Sequence, residues 1–127
     1  MGNPVVHFEI IGPSPSDLRG YYAQLFGWQY DQQAEVAPEV SAPRDYGFTT
    51  NKSPDGIGIP AGVGGGPTFT SHTLAYVGVE DVGVALAKAE SLGGKRVMGP
   101  TKNPGRNIMV AHFTDPAGNL VGLAGPK

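Results

Sequence analysis

The stretch Pro4-Val5-Val6-His7-Phe8-Glu9-Ile10-Ile11, continued by Gly12-Pro13-Ser14-Pro15-Ser16-Asp17-Leu18-Arg19-Gly20-Tyr21-Tyr22-Ala23-Gln24-Leu25-Phe26-Gly27-Trp28, decides the fold. Side chains of a strand alternate between its two faces. Val6, Phe8 and Ile10 therefore form a wholly apolar face, expected to pack against a helix. Val5, His7, Glu9 and Ile11 form the other, which carries two ionisable groups about 6–7 Å apart. That face is expected to line a cavity or meet solvent. Ser14 suits an N-cap, Pro15 the first helical position, and Asp17 approximates a capping box. Leu18, Tyr21, Tyr22, Leu25 and Phe26 repeat at helical spacing, which predicts an amphipathic helix with its aromatic stripe in the core. Gly27 supplies the left-handed residue that ends it.

From Trp28 to Gly66 the pattern shortens. Gln29–Val36, Tyr46–Thr50 and Gly56–Ala61 read as three strands, broken by Ala37-Pro38, Ala42-Pro43 and the turn Ser53-Pro54-Asp55-Gly56. Gly62-Val63-Gly64-Gly65-Gly66-Pro67 reads as a flexible linker; no Gly-Lys-Ser/Thr follows, so it is not a phosphate-binding loop. The opening pattern then returns. Thr73–Val79 is a strand, Glu80-Asp81 opens a helix with Val82, Ala85, Leu86 and Ala89 at helical spacing, and Leu92-Gly93-Gly94 stops it. Lys95–Met98 is a strand, Gly99–Arg106 a loop, Ile108–Thr114 a strand, Asp115-Pro116-Ala117-Gly118 a turn and Leu120–Ala124 a last strand. The helix stops Gly27 and Gly93 lie 66 residues apart, each within a strand, helix and three further strands. This is a repeat of pattern with almost no shared identities. Each half is too small to bury both faces of its sheet, so the halves pair, within one chain or by exchange between two.

A chain of 127 residues is expected to form one domain over residues 1–127, with module 1 at about 4–61, a linker at about 62–71 and module 2 at about 72–125. With no cysteine, disulfides, zinc–cysteine sites and thiol catalysis are excluded. A net charge of −2 without a Lys/Arg cluster argues against nucleic acid. No apolar run approaches the ~20 residues of a membrane helix. The start of the chain lacks a signal-peptide pattern, which makes a cytoplasmic location the expectation. The 20 glycines and 12 prolines concentrate between the regular stretches, as short strands joined by tight turns require.

Parity places the candidate site. His7 and Glu9 share one strand face, as a polar recognition pair or as a base with its orienting carboxylate. His72 and Tyr76 share parity with Leu74 and Gly78 and are expected to face the same cleft from the second half, as ligand contacts or as cleft packing. His112 shares a face with Ile108 and Val110 and is a further candidate. Asp115 fixes a turn, and Arg44 and Asp45 read as loop charges.

The order of elements, with Tyr21-Tyr22-Ala23-Gln24-Leu25-Phe26-Gly27-Trp28 in the first half and Asp115-Pro116-Ala117-Gly118-Asn119 near the end, resembles the vicinal oxygen chelate superfamily. That group includes glyoxalase I, bleomycin-resistance proteins and extradiol dioxygenases. The second half, Tyr76-Val77-Gly78-Val79-Glu80-Asp81-Val82 through Leu92-Gly93-Gly94-Lys95 to Gly99-Pro100-Thr101, is most similar to small bacterial glyoxalase-like proteins. The resemblance implies an α+β fold in which two tandem βαβββ modules form a curled mixed sheet around a cleft, with the helices outside. It also implies a homodimer.

Metal-dependent members of that superfamily place ligands on the first and last strands of each module. By resemblance, His7 matches the first such position. Its equivalents here are Leu74, Gly122 and the stretch Gly56–Ala61, none of which supplies a carboxylate or imidazole. No metal cofactor is therefore expected, although His72 beside Leu74 leaves room for an irregular site. Three readings stand. The first is a metal-free protein binding a small organic molecule through His7, Glu9, His72, Tyr76 and His112, with His7 and Glu9 the candidates for any catalysis. The second is a metal-dependent lyase, isomerase or dioxygenase of glyoxalase type. The third is a non-catalytic dimeric interaction module.

Overall fold

A computed structural model describes residues 2–127. The first strand, β1 (Val5–Gly12), leads into helix α1 (Pro15–Phe26), which ends at Gly27 with φ 73°. Strands β2 (Gly47–Thr49) and β3 (Ala61–Gly65) complete the first half. The second half runs β4 (His72–Gly78), α2 (Val82–Ser91), β5 (Lys95–Asn103), β6 (Ile108–Thr114) and β7 (Leu120–Gly125). The seven strands make one open mixed sheet in the order β2-β3-β1-β4-β7-β6-β5. The halves join within the chain, β1 lying antiparallel to β4, while β1 and β3, and β4 and β7, pair in parallel. The α+β architecture, two helices with one mixed sheet that does not close into a barrel, is as the resemblance implies, except that the first half has two strands after its helix where a βαβββ module has three. No helix among the described residues is long and apolar enough to cross a membrane.

The first half departs from the expected pattern in three places. Gln29–Val36 is not a strand: one bridge, Asp31 to Phe48, stands where it was expected. The segment is too polar to bury either face of a strand. From there the chain crosses the concave side of the sheet as an irregular roof, burying Val36, Ala37, Val40 and Tyr46. Gly56–Ala61 is likewise no strand. The strand is β3, within the stretch read as a linker. Its glycines serve close packing rather than flexibility: a Cβ on Gly62 would collide with the Tyr46 ring, and one on Gly64 would lie 2.6 Å from it.

Helix α1 turns a different face inward from the one its spacing suggests. Pro15 and Arg19 are its buried residues, while Tyr21 and Phe26 are each 59% exposed. The sheet beneath it is narrow, with β2 only three residues long. The Arg19 stem takes an apolar position over it and sends its guanidinium to the Asp45 carbonyl, as long cationic side chains do. Tyr21, Tyr22, Phe26 and Trp28 pack on one another instead, with ring centroids 5.1–5.9 Å apart. Ser14 makes no side-chain cap. Asp45 faces Arg19 at 3.9 Å and Arg44 pairs with Glu35 at 2.8 Å, so both do more than decorate a loop.

The second half follows its pattern more closely. Asp81 caps α2 through Val84 N, and Asp115 Oδ1 accepts from the backbone of Ala117 and Asn119. The stretch Gly99–Asn103, expected as loop, extends β5. An edge strand tolerates Pro100 because one side of it needs no donor, and two register shifts absorb the misfit.

The glycine–tyrosine contacts predict a stability pattern. Gly62→Ala is expected to destabilise the fold by about 2 kcal/mol or more, as overpacking does. Gly20→Ala, in α1 with open space around it, is expected to be neutral or to stabilise by up to ~1 kcal/mol. Urea unfolding midpoints of the two variants test this.

Candidate functional site

The sheet's registers bring the site together. His7 pairs with Tyr76 across β1 and β4, Tyr76 with Gly122 across β4 and β7, and Gly122 with His112 across β7 and β6. Four strands thus carry one transverse row. Glu9, one inward step along β1, pairs with Leu74 on one side and Gly62 on the other. Each of two tyrosine rings lies over a glycine: Tyr46, from the roof, over Gly62, and Tyr76 over Gly122, where a Cβ would lie 2.5 Å from the ring. Both hydroxyls then point at Glu9.

Glu9 is 1% exposed. Tyr46 OH donates to its Oε1 at 2.8 Å, and Tyr76 OH lies 3.1 Å from both carboxylate oxygens. Behind each phenol stands an imidazole: His7 Nε2 is 2.8 Å from Tyr46 OH and His112 Nε2 is 2.6 Å from Tyr76 OH. A hydroxyl that donates to a carboxylate is free to accept from the imidazole, so an ionised Glu9 sets both histidines as neutral Nε2–H tautomers. The result is a converging chain, His7 to Tyr46 to Glu9 and His112 to Tyr76 to Glu9. Among the described residues no buried side-chain nitrogen or oxygen lacks a partner.

Burial dominates the titration of this chain. It raises Glu9 to about 7, against the opposing hydrogen bonds from Tyr46 and Tyr76. It lowers His7 to about 4, helped by the charge of Arg106, and His112 to about 4, helped by that of His72. Both phenols are pushed up, by burial first and the Glu9 charge second. A carboxyl titrating near neutrality, with four proton-carrying neighbours, is suited to taking up or giving a proton.

Beside this chain lies a cavity of about 290 Å³, lined by His7, Glu9, Tyr46 and Tyr76, by the apolar Val6, Val36, Val40, Phe48, Ile108 and Val110, and by Arg106. Val6 reaches it despite its parity because the β1 register shifts between Val5 and His7. His112 sits behind Tyr76. His72, at the start of β4, lies elsewhere: its Nδ1 meets the Thr70 carbonyl at 2.7 Å, and it lines an open depression between β1, β4 and α1. Sequence reasoning missed Tyr46, Phe48 and Arg106. Tyr46 had one legible signal, a glycine-alternating stretch, Gly62-Val63-Gly64, able to receive a ring.

The donor set of a divalent-metal site is not assembled at the positions where the superfamily carries it. Leu74 is buried and apolar, β3 carries only alanine, glycine and valine, and the Tyr76 ring fills the space beside Gly122. Among the described residues no group of three or more His, Cys, Asp or Glu side chains is placed to hold an ion.

A family model for the Glyoxalase/Bleomycin resistance protein/Dioxygenase superfamily matches residues 5–123. The chain belongs to that superfamily. No curated protein sequence matches it. Among solved structures, a variant of Streptomyces coelicolor methylmalonyl-CoA epimerase in complex with 2-nitronate-propionyl-CoA is similar at 14% identity and a TM-score of 0.69, over 97% of this chain and 96% of that one. Hypothetical protein BH1468 from Bacillus halodurans C-125 is similar at 14% identity and 0.68, over 100% and 96%. Methylmalonyl-CoA epimerase from Mycobacterium tuberculosis is similar at 12% identity and 0.67, over 97% and 87%. At such identities the likeness is one of fold.

The shifts predict a pH dependence of stability. His7 and His112 bind protons less readily folded than unfolded, so each withdraws stability as pH falls from 6.5 towards 4. Glu9 acts oppositely, withdrawing stability as pH rises from 4.5 to about 7. At ~1.4 kcal/mol per pH unit each group is worth about 3 kcal/mol, leaving a net acid loss of about 3 kcal/mol. Glu9→Gln removes the opposing group and is expected to steepen that acid limb. Urea midpoints from pH 4 to 7.5 check it; a wild-type stability that rises on acidification contradicts it.

Proposed function

We propose that this protein binds a small organic molecule in the cavity above Glu9, and that the Glu9–tyrosine–histidine chain, rather than a divalent metal, supplies the polar contacts. The observation that carries this reading is the buried, doubly hydrogen-bonded Glu9 on the wall of a cavity whose remaining lining is largely apolar. Such a pocket orients a ligand by a few polar groups and holds it by apolar contact. His7, Glu9 and Tyr76 are the ligand-facing residues of this reading; His112 sets Tyr76 from behind, and His72 falls outside it. Glu9 is also the residue through which a proton would move if the bound molecule reacts. Association as a homodimer belongs to the same reading, and twice the chain mass by light scattering would support it.

Two measurements test the proposal. Protein purified without chelator is expected to carry far less than one equivalent of nickel, zinc, manganese or iron by elemental analysis; near-stoichiometric metal contradicts the metal-free reading. A thermal-shift screen of small metabolites is expected to find a stabilising compound whose affinity falls at least about tenfold in Tyr46→Phe or Glu9→Gln, the weight of one hydrogen bond to a charged group. A stabilising compound indifferent to both changes argues for binding elsewhere.

A further inference from the structure

Among the described residues, Arg106 is the exposed charged residue that lines the cavity. It sits in the turn between β5 and β6, with its guanidinium carbon 3.7 Å from the centroid of the Phe48 ring. Both residues line the cavity, Arg106 exposed and Glu9 buried, so the arginine marks the opening and the carboxyl the floor. The turn is held in place from the first half: Gly105 N donates to the Glu35 carbonyl at 3.0 Å, and Asn103 Oδ1 accepts from Ala37 N at 2.9 Å. The ion pairs of the described residues are Arg19–Asp45, Arg44–Glu35 and Arg96–Glu90, and Arg106 belongs to none of them. A guanidinium stacked on an aromatic face keeps its in-plane N–H edge free, the edge that grips a carboxylate or phosphate in bidentate fashion.

We propose that the cavity takes a small organic anion, its carboxylate or phosphate gripped edge-on by Arg106 at the mouth and its apolar body seated between Val36, Val40 and Val110. This rests on the reading of the cavity as a ligand site and narrows it. The interior volume of about 290 Å³ lies at the small end of ligand pockets, which fits a body about the size of one ring. Lysine in place of Arg106 would keep the charge and lose the fork; glutamine would keep donors and lose the charge.

Binding of benzoate, phenyl phosphate, benzamide and benzylamine, followed at pH 7 by calorimetry and by the His7 ring resonances, tests the assignment. At least one of the two anions is expected to shift the His7 resonances and to bind about tenfold or more tighter than benzamide, with benzylamine weaker still. Whichever of benzoate and phenyl phosphate binds more tightly identifies the anionic group. Arg106→Gln is expected to erase the preference for the anion while leaving benzamide binding unchanged, and Arg106→Lys to keep part of it. Equal binding of charged and neutral probes, or a preference that survives Arg106→Gln, overturns the anion assignment and leaves the cavity reading standing. If no probe reaches His7, the cavity reading falls and the anion assignment with it.

Discussion

A carboxylate out of water between two phenols is the constraint from which the rest of this structure follows. Removing a charge from water costs several kcal/mol unless hydrogen bonds replace the lost hydration. Glu9 obtains them from Tyr46 and Tyr76, one from each half of the chain. Each phenol needs its ring laid flat on a neighbouring strand, which leaves no room for a side chain at Gly62 or Gly122. Each also has an imidazole behind it. Four polar residues and two glycines are thereby tied to a single acid.

The same constraint links the modules. β1 and β4 are hydrogen-bonded at the centre of the sheet, so Glu9 and Tyr76 are fixed by regular pairing. Tyr46 reaches the site differently, on a roof with little regular structure. That roof is held by Ser41 Oγ on the Gly65 backbone, by Asn103 at the end of β5 and by Gly105 in the β5–β6 turn. The floor of the cavity is therefore rigid sheet, and its cover is a segment pinned at a few points.

The second module was legible because its strands alternate cleanly and its helix is capped by Asp81 and stopped by glycine. The first strand, and the presence of His7 and Glu9 on one face, were legible for the same reason. The first module was less so. Glycine-rich β3 carries almost no side-chain pattern, and its glycines answer to a ring sixteen positions away rather than to a turn. The α1 stripe misled because hydrophobic spacing says which residues share a face, not whether the sheet beneath is wide enough to cover it. Arg19 shows the converse: a charged residue can be the buried one when its stem does the packing. The candidate site was half visible. His7, Glu9, Tyr76 and His112 follow from strand parity, whereas Tyr46 and Arg106 come from irregular segments to which no periodicity applies. His72 shares the parity of Tyr76 but sits at the strand's other end, beyond the reach of the cavity.

The most direct test is a carbon-13 NMR titration of the Glu9 side-chain carboxyl in the folded protein. The account predicts a midpoint near 7, with the His7 and His112 rings staying neutral through that step. A midpoint in the ordinary glutamate range, about 4 to 5, would mean that burial does not outweigh the two phenol hydrogen bonds, and would contradict the account.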